Sequence, residues 1–210
     1  MNNTAKLIAK HLLQIKAIKL QPANPFIWAS GWKSPIYCDN RKTLSYPETR
    51  DYIRDQFVKL VLEKYPDVEV IAGVATGAIA HGVLVAQALN KPFVYIRSDA
   101  KKHGLGNQIE GEIKENQKVV VIEDLISTGG SSLNAVEALR TANCNVLGMI
   151  AIFTYEFEKA SSNFKQNTCE LTTLSNYQSL IDSALEENYI TLQDIDLLKT
   201  WRVDPENWMK

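Results

Sequence analysis

Two adjacent carboxylates, Glu123 and Asp124, stand just ahead of Ser127-Thr128-Gly129-Gly130-Ser131-Ser132, six residues with polar side chains or none. The segment follows Val119-Val120-Val121-Ile122, a β-branched run that reads as a strand covered on both faces. Gly129 and Gly130 permit a tight turn. Ser127, Thr128, Ser131 and the exposed N–H groups of a following helix can then donate to one phosphate. A phosphate would repel Glu123 and Asp124, so at the strand's carboxyl end they suit sugar hydroxyls or a hydrated cation. The combined reading is a site for a phosphorylated sugar. An ordinary strand with a capped helix is the simpler alternative, because Ser and Thr are common caps. Against it, the polar run is longer than a cap requires, and ligands of open α/β sheets bind beyond the strands' carboxyl ends. The chain contains no G-x-x-x-x-G-K-[ST], and Gly104-Leu105-Gly106 lacks the third glycine of a dinucleotide fingerprint.

A second cluster lies at Arg97, Lys101, Lys102 and His103, followed by Gly104, Gly106 and Gly111. Residues 98–115 connect two expected strands that a few residues could join, and a long loop of that kind calls for a purpose. Its glycines allow large backbone swings, so a mobile basic loop can fold over an anion. Lys101 and His103 suit the charge that builds on the oxygen of a departing diphosphate. Closure would also exclude water and favour transfer over hydrolysis. A solvated hairpin is the alternative. RNA binding fits poorly: Glu110, Glu112 and Glu115 follow, and no aromatic residue stands between Arg97 and Glu115 to stack bases.

The positioning elements are legible as a βαβ rhythm. The spacing predicts helices over residues 47–63, after the turn Ala75-Thr76-Gly77 through about Leu89, and over 132–141, with strands over 68–74, 93–96, 118–122 and 146–153. Such alternation implies an α/β fold with a mostly parallel sheet flanked by helices. Residues 17–46, with Pro22, Pro25 and Pro35, read as short antiparallel strands forming a hood. Leu7, Ile8, Leu12, Ile15 and Ile18 give a core-covering amino-terminal helix, and the carboxyl-terminal stretch reads as helical, anchored by Trp201 and Trp208. The 210 residues, 45% hydrophobic, fit one domain. A net charge of -1 offers no general field for nucleic acid or an anionic membrane. Cys38, Cys144 and Cys169 lack a C-x-x-C pair, which suits free thiols, and no apolar run approaches the roughly 18 residues a membrane span needs. A cytoplasmic location follows.

The acidic pair and its Ser/Thr-Gly-Gly loop resemble the phosphoribosyl diphosphate (PRPP) signature of type I phosphoribosyltransferases. Two further segments narrow the likeness: Ser30-Gly31-Trp32-Lys33-Ser34-Pro35-Ile36-Tyr37-Cys38-Asp39-Asn40-Arg41, and the loop carrying Lys101, His103-Gly104 and Gly106-Asn107. Together they look like the orotate phosphoribosyltransferase family, over most of the chain. The resemblance implies the type I phosphoribosyltransferase fold and transfer of ribose 5-phosphate from PRPP to orotate in pyrimidine synthesis. It implies PRPP binding by Arg97, Lys101, His103, Glu123, Asp124, Leu125, Ile126, Ser127, Thr128, Gly129, Gly130 and Ser131, with Ser127 also touching orotate. It makes Lys101, His103 and Asp124 catalytic, and implies Mg2+ held mainly by substrate with Asp124 as the protein's contact. It further implies a homodimer in which the loop, with Arg97, Lys101 and His103, acts across the interface. Some relatives have a Lys at Ala29 and a Tyr-Lys pair at Thr76-Gly77, and others an Arg near Phe153-Thr154-Tyr155. Lys33 and Arg41 are therefore the candidates for the orotate carboxylate. A transferase for another base and a PRPP-sensing regulator are the competing expectations.

Overall fold

The computed structural model of the chain describes residues 2–28, 30–97 and 108–209. The elements run α1 (Asn2–Gln14), β1 (Ile18–Leu20), β2 (Phe26–Ile27), β3 (Lys33–Ser34), β4 (Ile36–Cys38), a 3-10 helix (Asn40–Ser45), α2 (Pro47–Lys64), β5 (Val70–Val74) and α3 (Ile79–Leu89). There follow β6 (Phe93–Ile96), β7 (Ile109–Glu110), β8 (Lys118–Ile126), α4 (Gly130–Thr141), β9 (Asn145–Thr154), α5 (Glu158–Gln166), β10 (Leu171–Asn176), α6 (Tyr177–Glu186) and α7 (Asp194–Val203). The central sheet has the order β10-β9-β8-β5-β6-β7. All of its pairings are parallel except β6 with β7.

Alternation along the strands divides the core in two, as period-2 side-chain geometry requires. Val119 and Val121 join Val70, Ala72 and Met149 against Leu133, Val136 and Leu139 of α4 and Phe164 of α5. Val120 and Ile122 join Ile71 and Ile150 against α1, α2, α3 and α6, through residues such as Leu12, Phe57, Val85 and Leu180. Burial on both faces explains the unbroken apolar runs. Trp201 is fully buried and Trp208 nearly so, matching their expected role as anchors.

Four elements differ most from the sequence expectation. β8 runs four residues past Ile122, because Glu123, Leu125 and Ile126 continue the parallel ladder opposite Ala151, Phe153 and Thr154 of β9. The acidic pair therefore lies within the strand, not after it. Residues 109–110, expected in the loop of 98–115, form β7: Tyr95 pairs with Glu110 and Ile96 with the buried Ile109, while the Arg97 N–H donates to the Gln108 carbonyl at 2.9 Å. α5 and β10 were not anticipated; both are short, and β10 is a polar sheet edge, Leu-Thr-Thr-Leu-Ser-Asn, with little apolar alternation.

The hood has its expected short antiparallel pairs, β1 with β4 and β2 with β3. Trp28 fastens it, with ring centroids 5.3 Å from Tyr155 and 5.7 Å from Trp201, and its indole N–H donating to the Ile36 carbonyl at 3.0 Å. This anchoring fixes where β4 and the 3-10 helix end up, beside the carboxyl ends of β5 and β8.

Candidate active site

Because successive strand residues face opposite ways, Glu123 and Asp124 straddle β8. Glu123 turns to the α4 side. There one oxygen accepts the Ser132 hydroxyl at 2.7 Å and the other accepts the Asp124 N–H at 2.9 Å. The side chain is only 5% exposed. Burial, and then the neighbouring Asp124 charge, push its carboxyl well above the usual carboxylate range, against the smaller pull of the Ser132 hydrogen bond. Asp124 turns to the opposite side, toward α3 and the hood. Burial raises its carboxyl too, opposed by the hydrogen bond with Glu123 and the nearby Arg41 charge.

The sign of the Glu123 shift gives a prediction. Its neutral form is favoured in the fold, so the associated stability is present below the unfolded carboxyl's titration and is lost as pH rises through the folded one. A glutamine can accept from Asp124 N–H and donate to Ser132 without ever ionising. Glu123→Gln should therefore raise the melting temperature at pH 8 by a few degrees and leave it nearly unchanged at pH 4; an equal or lower value at pH 8 would contradict this.

The hood holds Asp124 from above. Asn40, 1% exposed, donates through Nδ2 to the Asp124 carbonyl at 2.6 Å and accepts the Cys38 thiol through Oδ1 at 3.3 Å. Beneath the carboxylate lies Gly77, in the turn from β5 to α3: a Cβ there would stand 2.3 Å from Asp124 Oδ2 and 2.4 Å from its Cγ. The Ala75–Thr76 peptide of that turn is cis.

The hydroxyl–glycine loop sits at the other side. Gly129 has φ 82, a left-handed conformation that glycine adopts without steric cost, and a Cβ on it would come 2.7 Å from the Phe164 ring of α5. Asn163, also on α5, donates to the Thr128 carbonyl at 2.9 Å. α5 thus braces the loop from behind. Gly130 opens α4, and a methyl group added there would meet nothing within 4 Å, which leaves the front of the loop open beside exposed Ser131.

One cavity of about 320 Å3 gathers these parts, lined among others by Arg41, Thr76, Gly77, Glu123, Asp124, Leu125 and Ser131. Of the expected PRPP residues, Glu123, Asp124, Leu125 and Ser131 meet there. Ser127, Thr128, Gly129 and Gly130 continue the loop that ends at Ser131. Ile126 is fully buried in the α4-side core, and its carbonyl accepts the Tyr155 N–H at 3.2 Å, so its side chain faces away from any ligand. Arg97 does not line the cavity; its Nη1 pairs with Glu110 at 3.4 Å, two strands away from β8. Lys101 and His103 lie outside the described residues. Lys33 donates to the Met209 carbonyl at 2.6 Å and is also absent from the cavity wall. Sequence reasoning passed over Cys38, Asn40, Thr76 and Gly77. For the last two the signal was present, since Ala75-Thr76-Gly77 follows a buried strand just as the Ser127 loop does.

A mostly parallel sheet whose central strand carries an acid pair into a cavity shared with a hydroxyl–glycine helix start defines a protein of the type I phosphoribosyltransferase class. The phosphoribosyl transferase domain family model matches residues 47–187. An orotate phosphoribosyltransferase of Phocaeicola vulgatus is 60% identical over 208 residues, 99% of this chain and 98% of its own, and one of Enterococcus faecalis is 57% identical over the full length of both chains. With that likeness running end to end, the chain belongs to the orotate phosphoribosyltransferase family. Among solved structures, the Aeropyrum pernix orotate phosphoribosyltransferase shares the fold at 24% identity with a TM-score of 0.76, covering 88% of this chain and 99% of its own. Leishmania donovani UMP synthase shares it at 25% identity and a TM-score of 0.78; 94% of this chain aligns with 42% of that longer one.

Proposed function

We propose that the protein transfers the ribose 5-phosphate group of PRPP to orotate, releasing diphosphate and giving orotidine 5′-monophosphate for pyrimidine synthesis. The observation that carries this reading is the straddling acid pair, which places one carboxylate beside the Ser127–Ser131 side of the cavity and the other beneath the hood. The sugar's hydroxyls would be accepted by Asp124 and the 5-phosphate held by the N–H groups and hydroxyls of residues 127–131. Ser127 would also touch the base.

Reaction needs little proton transfer, since orotate carries a ring nitrogen that can be deprotonated before attack. As the C1–O bond breaks, its electron pair leaves with diphosphate and the ring nitrogen supplies the pair for the new C1–N bond. Holding both partners in line and stabilising the departing charge then account for most of the rate. Lys101 and His103 are the residues proposed for that charge, with Arg97 at the base of their loop, and a homodimer would let them act in a neighbouring site.

The donor set fits Mg2+ carried in by the substrate. Among the described residues no cluster of three or more His, Cys, Asp or Glu could hold a metal, while Asp124 offers a hard oxygen at the cavity, which matches an ion that keeps most of its ligands from phosphate and water. When bound, the ion neutralises diphosphate charge. No helix among the described residues is long and apolar enough to cross a membrane, and the free thiols Cys38, Cys144 and Cys169 accord with a reducing cytoplasm.

The test presents PRPP and Mg2+ with orotate, uracil, adenine, guanine and hypoxanthine in turn, following base consumption and diphosphate release. Orotate alone should be consumed. Turnover of a purine in place of orotate, or PRPP binding with no turnover of any base, would overturn the assignment.

A further inference from the structure

The cavity's charge is lopsided. Asp39, Glu123 and Asp124 contribute carboxylates, and among the described lining residues the one cation is Arg41. A site taking an anionic sugar diphosphate needs positive charge at the end away from the 5-phosphate. Its 5-phosphate and 1-diphosphate leave the ribose ring at opposite ends, with the hydroxyls between. If Ser131 and the residues before it take the 5-phosphate and Asp124 takes the hydroxyls, the diphosphate falls on the far wall. That wall is the hood-side face of Asp124, formed by Thr76, Gly77 and Arg41.

Arg41 is built for an anion there. Its Nε donates to Asp39 Oδ1 at 2.7 Å, which orients the guanidinium. Both Nη groups lack partners among the described residues, and the side chain is 60% exposed. One edge of the fork is therefore committed to Asp39 and the other is free, a geometry suited to two phosphate oxygens. The rival cation of the hood, Lys33, is spent on the Met209 carbonyl. Position 77 cannot supply a cation, because the Asp124 carboxylate fills the space a side chain would need.

We propose that Arg41 is the hood's ligand for the diphosphate of PRPP, gripping it in the ground state and meeting the charge that develops on the departing oxygen. The inference rests on the phosphoribosyl transfer proposed above. Asp39 acts through Arg41 as a positioning residue. Arg41 need not touch the base.

Calorimetry and steady-state kinetics on Arg41→Gln in the full chain decide the matter, because orotidine 5′-monophosphate contains every part of the site's contents except the diphosphate. Expected are at least about 30-fold weaker binding of Mg-diphosphate and Mg-PRPP and a fall in kcat/KM for PRPP of about 100-fold, the scale of losing one electrostatic transition-state contact. The nucleotide product should bind within twofold of wild type, and Arg41→Lys should recover part of the loss. Thermal melting should be nearly unchanged, as for an exposed substitution. Weakened nucleotide binding with PRPP and diphosphate unaffected would move Arg41 to the orotate carboxylate and overturn the proposal, as would no change in any of the three. Should the wild type itself bind no nucleotide and consume no orotate, the underlying activity falls; normal wild-type turnover with an indifferent Arg41→Gln sinks only the role of Arg41.

Discussion

Gly77→Ala should abolish most turnover while leaving the fold standing. The added methyl would lie 2.3–2.6 Å from all three atoms of the Asp124 carboxyl group, far inside van der Waals contact, so something must move. The backbone of β8 cannot yield easily, since it pairs with both β5 and β9 and Asn40 grips its carbonyl. The side chain can, because it borders the cavity and needs only to rotate into open space. The cost thus falls on function: Asp124 swings from where it would meet the ribose, and a displacement of about 1 Å at such a group is worth about 100-fold in rate. The expected result is a drop of about 100-fold in kcat with PRPP and orotate, alongside a melting temperature close to that of the parent. Turnover within threefold of wild type would show that the Asp124 orientation over Gly77 is irrelevant to the reaction.

The sequence marks Gly77 as part of a turn after a buried strand, but its contact with Asp124, far along the chain, is visible only in the fold. What could be read were features whose cause is local. Four β-branched residues before Glu123 announce a doubly covered strand, and Pro47 at the start of α2 with a run of apolar spacings announces that helix. The hood's prolines mark short antiparallel strands for the same reason, since proline removes a donor from the ladder. What stayed hidden depends on partners distant in the chain. β8 extends through its acids because β9 offers a parallel ladder, and no property of Glu123 itself says so. β7 is two residues long and exists because β6 has a free edge. α5 matters to the site through Asn163 and Phe164, which brace Thr128 and Gly129 from more than thirty residues away.

The same contrast separates the two candidate cations of the hood. By type and spacing Lys33 and Arg41 were equivalent. Lys33 lies on β3, whose course carries it toward the carboxyl terminus, whereas Arg41 lies in the 3-10 helix that the Asn40 contact pins to β8. Tertiary placement, not residue chemistry, decides between them.

His81 should make the protein lose stability in mild acid. It lies on α3 beneath the hood, 1% exposed, with Nε2 3.1 Å from Thr43 Oγ1. The Thr43 hydroxyl donates its proton to the Asn40 carbonyl at 2.6 Å, so Nε2 carries a hydrogen and donates to Thr43. Nδ1 is then a bare lone pair, and it has no partner among the described residues. Protonating it would bury a charge with nothing to receive the new N–H. Burial accordingly pushes the imidazole down from 6.5 to about 4, with the Asn40 carbonyl opposing it. A folded value below the unfolded one means that the unfolded chain binds the proton better. The stability at stake is complete above the unfolded value near 6.5 and is lost as pH falls through the folded value. From those two values the loss amounts to roughly 2 kcal/mol by pH 5 and roughly 3 kcal/mol by pH 4. His81→Asn keeps a donor on α3 but cannot titrate. It should start less stable at pH 7, having a shorter reach to Thr43, and then lose less than wild type on acidification, so that the gap closes or reverses by pH 4. Urea unfolding of both proteins at pH 7, 6, 5 and 4 measures the gap directly, with the other acid-sensitive groups common to both and cancelling. Parallel pH profiles would mean that the imidazole titrates alike in the folded and unfolded chains. Because Thr43 and Asn40 belong to the same 3-10 helix, a charge buried on His81 acts on the segment whose Asn40 joins the hood to β8. Nucleotide binding should therefore weaken more steeply on acidification in wild type than in His81→Asn.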